Sequence, residues 1–104
     1  MAGKTLIVGG GLAGTLTAWA LHKRGKDFSV YDSGAPCASR VAAGMFNPVS
    51  FKRVVEVWNA EKHMRVMLET YYEIELAIGV RILNKMPIMR IFPNQQYRLS
   101  LIHI

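Results

Sequence analysis

The stretch Leu6–Leu21, LIVGGGLAGTLTAWAL, carries no charge and sets Gly9, Gly10, Gly11 and Gly14 in the middle of an apolar run. Three readings compete for it: a secretion signal, a membrane segment, or a strand that turns tightly into a helix. Lys4 before the run and Ala18-Trp19-Ala20 near its end have the layout of a signal peptide, with a charged region and a small-residue cleavage site. The run from Thr5 to Leu21 is short of a comfortable membrane span. Both of these readings need a continuous hydrophobic helix. Glycine costs about 1 kcal/mol per helical position relative to alanine, so consecutive glycines at the centre count against both. The strand-turn-helix reading is the one that uses them.

The flanking residues agree with it. Thr5–Val8 is a short β-prone run ending at glycine, as a buried parallel strand does. Leu12–Arg24 reads as a helix with Leu12, Leu16 and Trp19 or Ala20 on one face. Lys23 and Arg24 suit its negative C-terminal end, and Gly25 follows as a C′ residue. Asp27–Asp32, DFSVYD, reads as a second strand with Phe28 and Val30 on one side. Strand, helix and strand with short links make a βαβ unit, its strands parallel and its crossover right-handed.

Further along, Ser33–Ser39 is a loop by composition, and Val41–Val49 opens on a helical turn that Gly44 and Asn47-Pro48 interrupt. The longest helix is expected over Glu56–Ile78. Its apolar stripe is Val57, Ala60, Met64, Met67, Leu68, Tyr71, Ile74 and Ile78, a packing face rather than a cofactor site, and Gly79 ends it. Val80–Leu83 and Ile88–Phe92 read as a short antiparallel pair. The expected fold class is therefore α/β: a Rossmann-like βαβ unit, a long helix, then the antiparallel pair. These elements leave a sheet edge and sheet faces uncovered, so an incomplete domain is expected, with residues 1–97 as its N-terminal part. The closing residues 98–104, ending LSLIHI, have the look of a translated truncation artefact and are set apart as a doubtful tail.

The composition narrows the function. With 104 residues, 51% of them hydrophobic, the chain is no disordered segment. Its formal charge of +6 comes from scattered residues, among them Lys23, Arg24 and Lys26, then Lys52 and Arg53. No basic run is interleaved with aromatics, which argues against a nucleic-acid interface. Cys37 is the sole cysteine, and His22, His63 and His103 are far apart, so neither a disulfide nor a metal centre is expected. With the secretion and membrane readings set aside, a cytoplasmic location is expected.

Gly9, Gly11 and Gly14 form G-x-G-x-x-G. Gly9 lets the chain leave the strand in a tight turn, Gly11 lets backbone N–H groups approach a pyrophosphate, and Gly14 lets the helix pack close to the strand. The helix N-terminus adds roughly half a positive charge toward phosphate. The pattern alone is weak. It gains weight because it follows a strand, opens a helix, and has Asp32 at the end of the next strand, about 20 residues on, where a carboxylate binds ribose hydroxyls. Ser33, rather than an arginine, after Asp32 argues against a 2′-phosphate and hence against NADP. NAD and the adenosine half of FAD remain equally compatible with these residues.

From about Lys4 to Phe92, LIVGGGLAGTLTAWALHKRGKDFSVYD followed by ASRVAAGMFNPV resembles the N-terminal end of the FAD-dependent oxidoreductases related to D-amino-acid oxidase and glycine oxidase. The small residues, AAGM and the proline just beyond it shift the choice to FAD. The resemblance implies that Gly9, Gly11, Leu12, Ala13 and Gly14 line the phosphates and that Asp32, with Ser33 beside it, holds the adenosine ribose. It further places Ala38 and Ser39 at phosphate or ribityl groups and Ala43, Gly44 and Met45 along the isoalloxazine. Arg40 departs from the small or hydroxyl residue of many relatives, and its charge is expected to reach phosphate or solvent. The implied reaction is oxidation of the C–N bond of an amino acid or amine. Flavin accepts a hydride, the imine hydrolyses, and electrons pass to oxygen or another acceptor. The substrate-clamping side chains of that family come mostly from beyond residue 104, so no catalytic residue is assigned here. Two alternatives stand beside this reading: a flavoprotein domain that modifies a tRNA base, and a non-enzymatic nucleotide-binding fragment.

Overall fold

The computed structural model describes residues 3–50, 55–89 and 91. Met1–Phe46 and Asn47–Ile104 are two compact units. In the first, strand β1 (Thr5–Val8), helix α1 (Leu12–Lys23) and strand β2 (Phe28–Tyr31) follow in order, then the short helix α2 (Ala38–Val41). β1 and β2 pair in parallel, with Thr5 opposite Phe28, Leu6 opposite Ser29, Ile7 opposite Val30 and Val8 opposite Tyr31. The unit is thus α/β and built on βαβ order, as expected from the strand, helix and strand read in the sequence.

The termini of α1 are set locally. Gly25 takes a left-handed φ of 60°. Its N–H donates to the His22 carbonyl (3.0 Å) and the Lys26 N–H donates to the Leu21 carbonyl (3.0 Å), a Schellman end that satisfies carbonyls the helix leaves open. The Arg24 guanidinium donates to the Ala20 carbonyl at 3.0 Å, reinforcing the same end. Leu16, Trp19 and Ala20 are half-buried, whereas Leu12 is exposed. Beneath the helix, Ile7 is the buried residue of β1 at 8% exposure.

Several boundaries differ from the sequence reading here: α1 ends at Lys23 rather than Arg24, and β2 starts at Phe28 rather than Asp27. β2 ends at Tyr31, one residue short, because Asp32 leaves the ladder and turns its carboxylate toward the glycines. Ala38 and Ser39, expected in a loop, begin α2.

In the second unit, helix α3 spans Ala60–Ile78. It starts four residues later than the expected Glu56 for a visible reason. Glu56 forms an antiparallel bridge with Val49, and the Val57 N–H donates to the Pro48 carbonyl at 2.8 Å. That pairing holds the chain extended until Asn59, which adopts a left-handed φ of 56° at the N-cap. Ala60 is buried and Met64, Met67, Tyr71 and Ile74 are half-buried, so the centre of the stripe is a packing face; Val57, Leu68 and Ile78 are exposed.

Beyond Gly79 the expected antiparallel pair is not formed among the described residues: Val80–Met89 contains no strand. The Glu75 carboxylate accepts the Ile82 N–H (2.6 Å) and the Leu83 N–H (2.7 Å) through Oε1. These are donors a strand ladder would have used. Arg90 and Phe92 of that expected pair, Lys52 and Arg53, and the doubtful tail 98–104 lie outside the described residues. Among the described residues, no helix is long and apolar enough to cross a membrane.

Candidate functional site

Gly9 closes β1 by donating its N–H to the Tyr31 carbonyl at 2.8 Å, and its φ of 103° lies where side chains are strained. This lets the chain reverse out of the strand within two residues and enter α1 at Gly11. Gly14 then faces back onto the strand. A Cβ there would collide with the Gly9 carbonyl oxygen and reach within 3.4 Å of Ile7 Cγ2. The spacing of Gly9 and Gly14 thus maintains one backbone-to-backbone contact, with α1 lying on Ile7. Gly11 has ordinary extended geometry, with φ of −74°. Its reason for being glycine is space, because a Cβ would sit 3.1 Å from Ser39 Oγ.

At the start of any α-helix the first N–H groups have no intrahelical acceptor. In α1 these belong to Gly11, Leu12, Ala13 and Gly14, and the helix places no acidic residue in its first turn. Thr15 is the first to bond back, its N–H donating to the Gly11 carbonyl at 2.9 Å. The Leu12 N–H donates to Ser39 Oγ at 3.0 Å. A hydroxyl oxygen therefore marks where the helix accepts a partner at this end, and the positive end of the dipole makes an anion the favoured one.

Asp32 lies against the same turn. Its Oδ2 accepts the Gly10 N–H at 2.6 Å, and its Oδ1 accepts the Gly34 N–H at 2.7 Å. Arg40 pairs with Oδ1 at 3.4 Å and donates to the Gly34 carbonyl at 3.1 Å. The Gly10 N–H, then the Gly34 N–H, hold the Asp32 carboxyl below its ordinary pKa; partial burial opposes this and the Arg40 charge assists it. Glu75 in the second unit is lowered in the same way by the Leu83 and Ile82 N–H groups, with Arg81 assisting. A carboxyl depressed by folding contributes stability that is complete above its unfolded pKa and lost as pH falls through the folded one. Amide resonances of Gly10, Gly34, Ile82 and Leu83 are therefore expected to stay constant down through neutral pH. They should move only below the ordinary carboxylate range of about 4, which an NMR pH titration reads directly.

The structure brings together Gly9, Gly11, Leu12, Gly14, Asp32 and Ser39 of the residues singled out from the sequence, with Ala13 in the first turn of α1. Ser33 is engaged elsewhere, its Oγ accepting the Ala35 N–H at 3.3 Å. Ala38 is exposed at the start of α2, and its carbonyl accepts the Ala42 N–H at 2.9 Å. Ala43, Gly44 and Met45 are exposed and make no hydrogen bond to the glycine turn among the described residues. Two features escaped the sequence reading. Gly10, an unremarked x of the motif, supplies the N–H that seats Asp32, and a Cβ on it would meet Oδ2 at 3.1 Å. Arg40 joins the acidic residue, eight positions earlier, across the turn at Gly34, whose φ is 71°. Gly34 was the available sign, since a glycine two residues after an acid is where a chain doubles back.

A strand, a turn whose Gly9 takes a left-handed φ and whose Gly14 has no room for a Cβ, a helix N-terminus open to an anion and a carboxylate at the end of the adjacent parallel strand together make the binding end of a dinucleotide fold. No solved structure matches the chain. The family described as NAD(P)-binding Rossmann-like domain matches residues 7–71, more than half of the chain and all of the strand-helix-strand unit after Leu6. The chain belongs to that family and is a dinucleotide-binding domain of the kind oxidoreductases carry.

Proposed function

We propose that the dinucleotide is FAD, and that the protein is the FAD-binding portion of an oxidoreductase acting on the C–N bond of an amino acid or amine. One observation carries the choice of flavin: Ser39 Oγ lies on the Leu12 N–H. That contact brings Ser39, within the segment ASRVAAGM whose pattern resembles the flavin-lining segment of the D-amino-acid oxidase relatives, to the phosphate-accepting end of α1. The cradle also fits the group. Gly11 puts no side chain at the N-terminal end of α1, and Asp32 retains acceptor capacity, since a carboxylate offers about four lone-pair sites.

In this reading Gly9, Gly11, Leu12, Ala13 and Gly14 hold the pyrophosphate through backbone N–H groups and close approach. Asp32, with Ser33 beside it, holds the adenosine ribose. Ala38 and Ser39 serve phosphate or ribityl groups, and Ala43, Gly44 and Met45 line the ring. When bound, the flavin supplies two-electron oxidation of the substrate, with oxygen or another acceptor taking the electrons. The chain's own part is to bind and orient: the helix end balances phosphate charge, and the depressed Asp32 stays ionised and acceptor-only for ribose hydroxyls. A nicotinamide dinucleotide is the second reading, favoured by the family match over residues 7–71.

The two readings part in a competition experiment. Protein incubated with FAD and then desalted should keep a flavin absorbance spectrum, and excess NAD or NADP should not displace it. Displacement by either would select the nicotinamide reading. Asp32→Asn should weaken FAD by roughly ten- to a hundredfold, the range expected when hydrogen bonds to a charged group are lost. Asparagine also presents a single oxygen, so either Gly10 or Gly34 loses its acceptor. Equal affinity in a titration would show that Asp32 does not meet the ribose.

A further inference from the structure

Ser39 and Arg40 are adjacent, yet they engage opposite halves of the candidate site. Ser39 offers an oxygen to the Leu12 N–H at 3.0 Å. Arg40 offers N–H groups to Asp32 Oδ1 at 3.4 Å and to the Gly34 carbonyl at 3.1 Å. An adenosine diphosphate group presents the same two chemistries, phosphate oxygens to helix amides and ribose hydroxyls to a carboxylate. The short helix α2 thus supplies an internal counterpart to each recognition element.

Competition at Asp32 follows from counting. Oδ2 already accepts Gly10, and Oδ1 accepts both Gly34 and Arg40. A ribose diol donates two hydrogen bonds, and of about four acceptor sites on the carboxylate three are in use. The bonds to Gly10 and Gly34 are short and come from backbone. The Arg40 contact is the longest and comes from a flexible side chain that is 53% exposed, so it is the one that yields. Exposed ion pairs are worth little, which makes the exchange feasible.

Resting on the FAD reading above, we infer that Arg40 is a selectivity residue that the ribose displaces from Asp32 and that then pairs with the ligand's phosphate. Its backbone neighbours Ser39, which sits on the phosphate-accepting amide, so a guanidinium swung off Asp32 stays within reach of the pyrophosphate end. A guanidinium pairs with phosphate more strongly than with one exposed carboxylate oxygen, because two N–H groups can bond at once. Arg40 therefore discriminates in both directions. It penalises a nucleoside that carries no phosphate, and it rewards one that carries phosphate next to the ribose.

The test compares adenosine with ADP on the full chain, using NMR titrations that follow the Gly10 and Gly34 amides, for wild type, Arg40→Gln and Arg40→Lys. Arg40→Gln should bind adenosine roughly two- to fivefold more tightly, since an exposed ion pair no longer has to break. The same variant should bind ADP roughly tenfold more weakly, since a charge-assisted bond to phosphate is gone. Arg40→Lys, which keeps the charge, should stay within about threefold of wild type for ADP. Opposite signs for the two ligands support the assignment. A shift of both ligands in the same direction, or of neither, overturns it, because a residue that only braces the loop would act on both alike. If wild type binds neither adenosine nor ADP, the dinucleotide reading falls with it; if wild type binds both and the variants match it, only the role of Arg40 falls.

Discussion

Gly14→Ala is expected to lower the stability of the first unit and to abolish dinucleotide binding. Two effects oppose each other at this position. Alanine is the better helix former by about 1 kcal/mol, and in an open helix the change would stabilise. Here the added Cβ collides with the Gly9 carbonyl oxygen, a backbone atom held in place because Gly9 also donates to Tyr31 at 2.8 Å. Overpacking of this sort costs about 1–3 kcal/mol, and relief requires α1 to lift off β1. The clash wins. Lifting the helix uncovers Ile7, the buried residue of β1, and moves the first-turn amides away from the Asp32 carboxylate that must act with them. Urea denaturation should show a lower midpoint, and FAD should no longer be retained. A midpoint at or above that of wild type would mean that α1 does not pack on β1 through Gly14.

Gly11→Val separates binding from stability. The backbone at Gly11 is extended rather than left-handed, so a side chain brings no strain of its own. Its Cβ would approach Ser39 Oγ at 3.1 Å, and that hydroxyl belongs to an exposed residue that can move aside. The valine methyls then occupy the space in front of the Leu12 N–H, where a phosphate would come. Stability should change little, whereas retention of flavin after desalting should be lost. A protein that keeps its flavin with valine at this position would sink the pyrophosphate assignment.

How much of this was legible in the sequence depended on the range of the interactions. β1 and α1 were placed almost to the residue because their ends are set by local chemistry: glycines at one end, and cations with Gly25 at the other. The close approach of Gly14 to the strand end at Gly9 was legible too, since the spacing of a strand-turn-helix fixes it. What escaped was decided by one long-range bond at a time. The helix expected from Glu56 lost its first turn to the bridge with Val49. The expected strand at Val80–Leu83 lost its donors to Glu75, a residue that in the sequence reads as one more polar position on α3. Arg40 read as a departure from a resemblance, and only the turn at Gly34 brings it to the acid. Periodicity carries no record of such contacts, because each depends on where a single side chain reaches across a turn.

The exposed sheet residues show what positions the site and what does not. Val8 is 83% exposed and Leu6 61%, so the two-stranded sheet itself contributes little buried area. Parallel strands ordinarily lie covered on both faces. The site nonetheless keeps its geometry through short backbone bonds, among them Gly9 to Tyr31 and Gly10 to Asp32. The binding end is therefore ordered by polar contacts local to the turn.

The central claim is that a dinucleotide binds at the junction of the glycine turn, the first turn of α1 and Asp32. An NMR titration of isotope-labelled protein with FAD tests it most directly, because each backbone N–H in the junction reports separately. The account predicts that the amides of Gly10, Leu12, Ala13, Gly14 and Gly34 shift together and saturate on one curve, while those of α3 stay in place. Binding with these amides unmoved, or no binding at all, would contradict it.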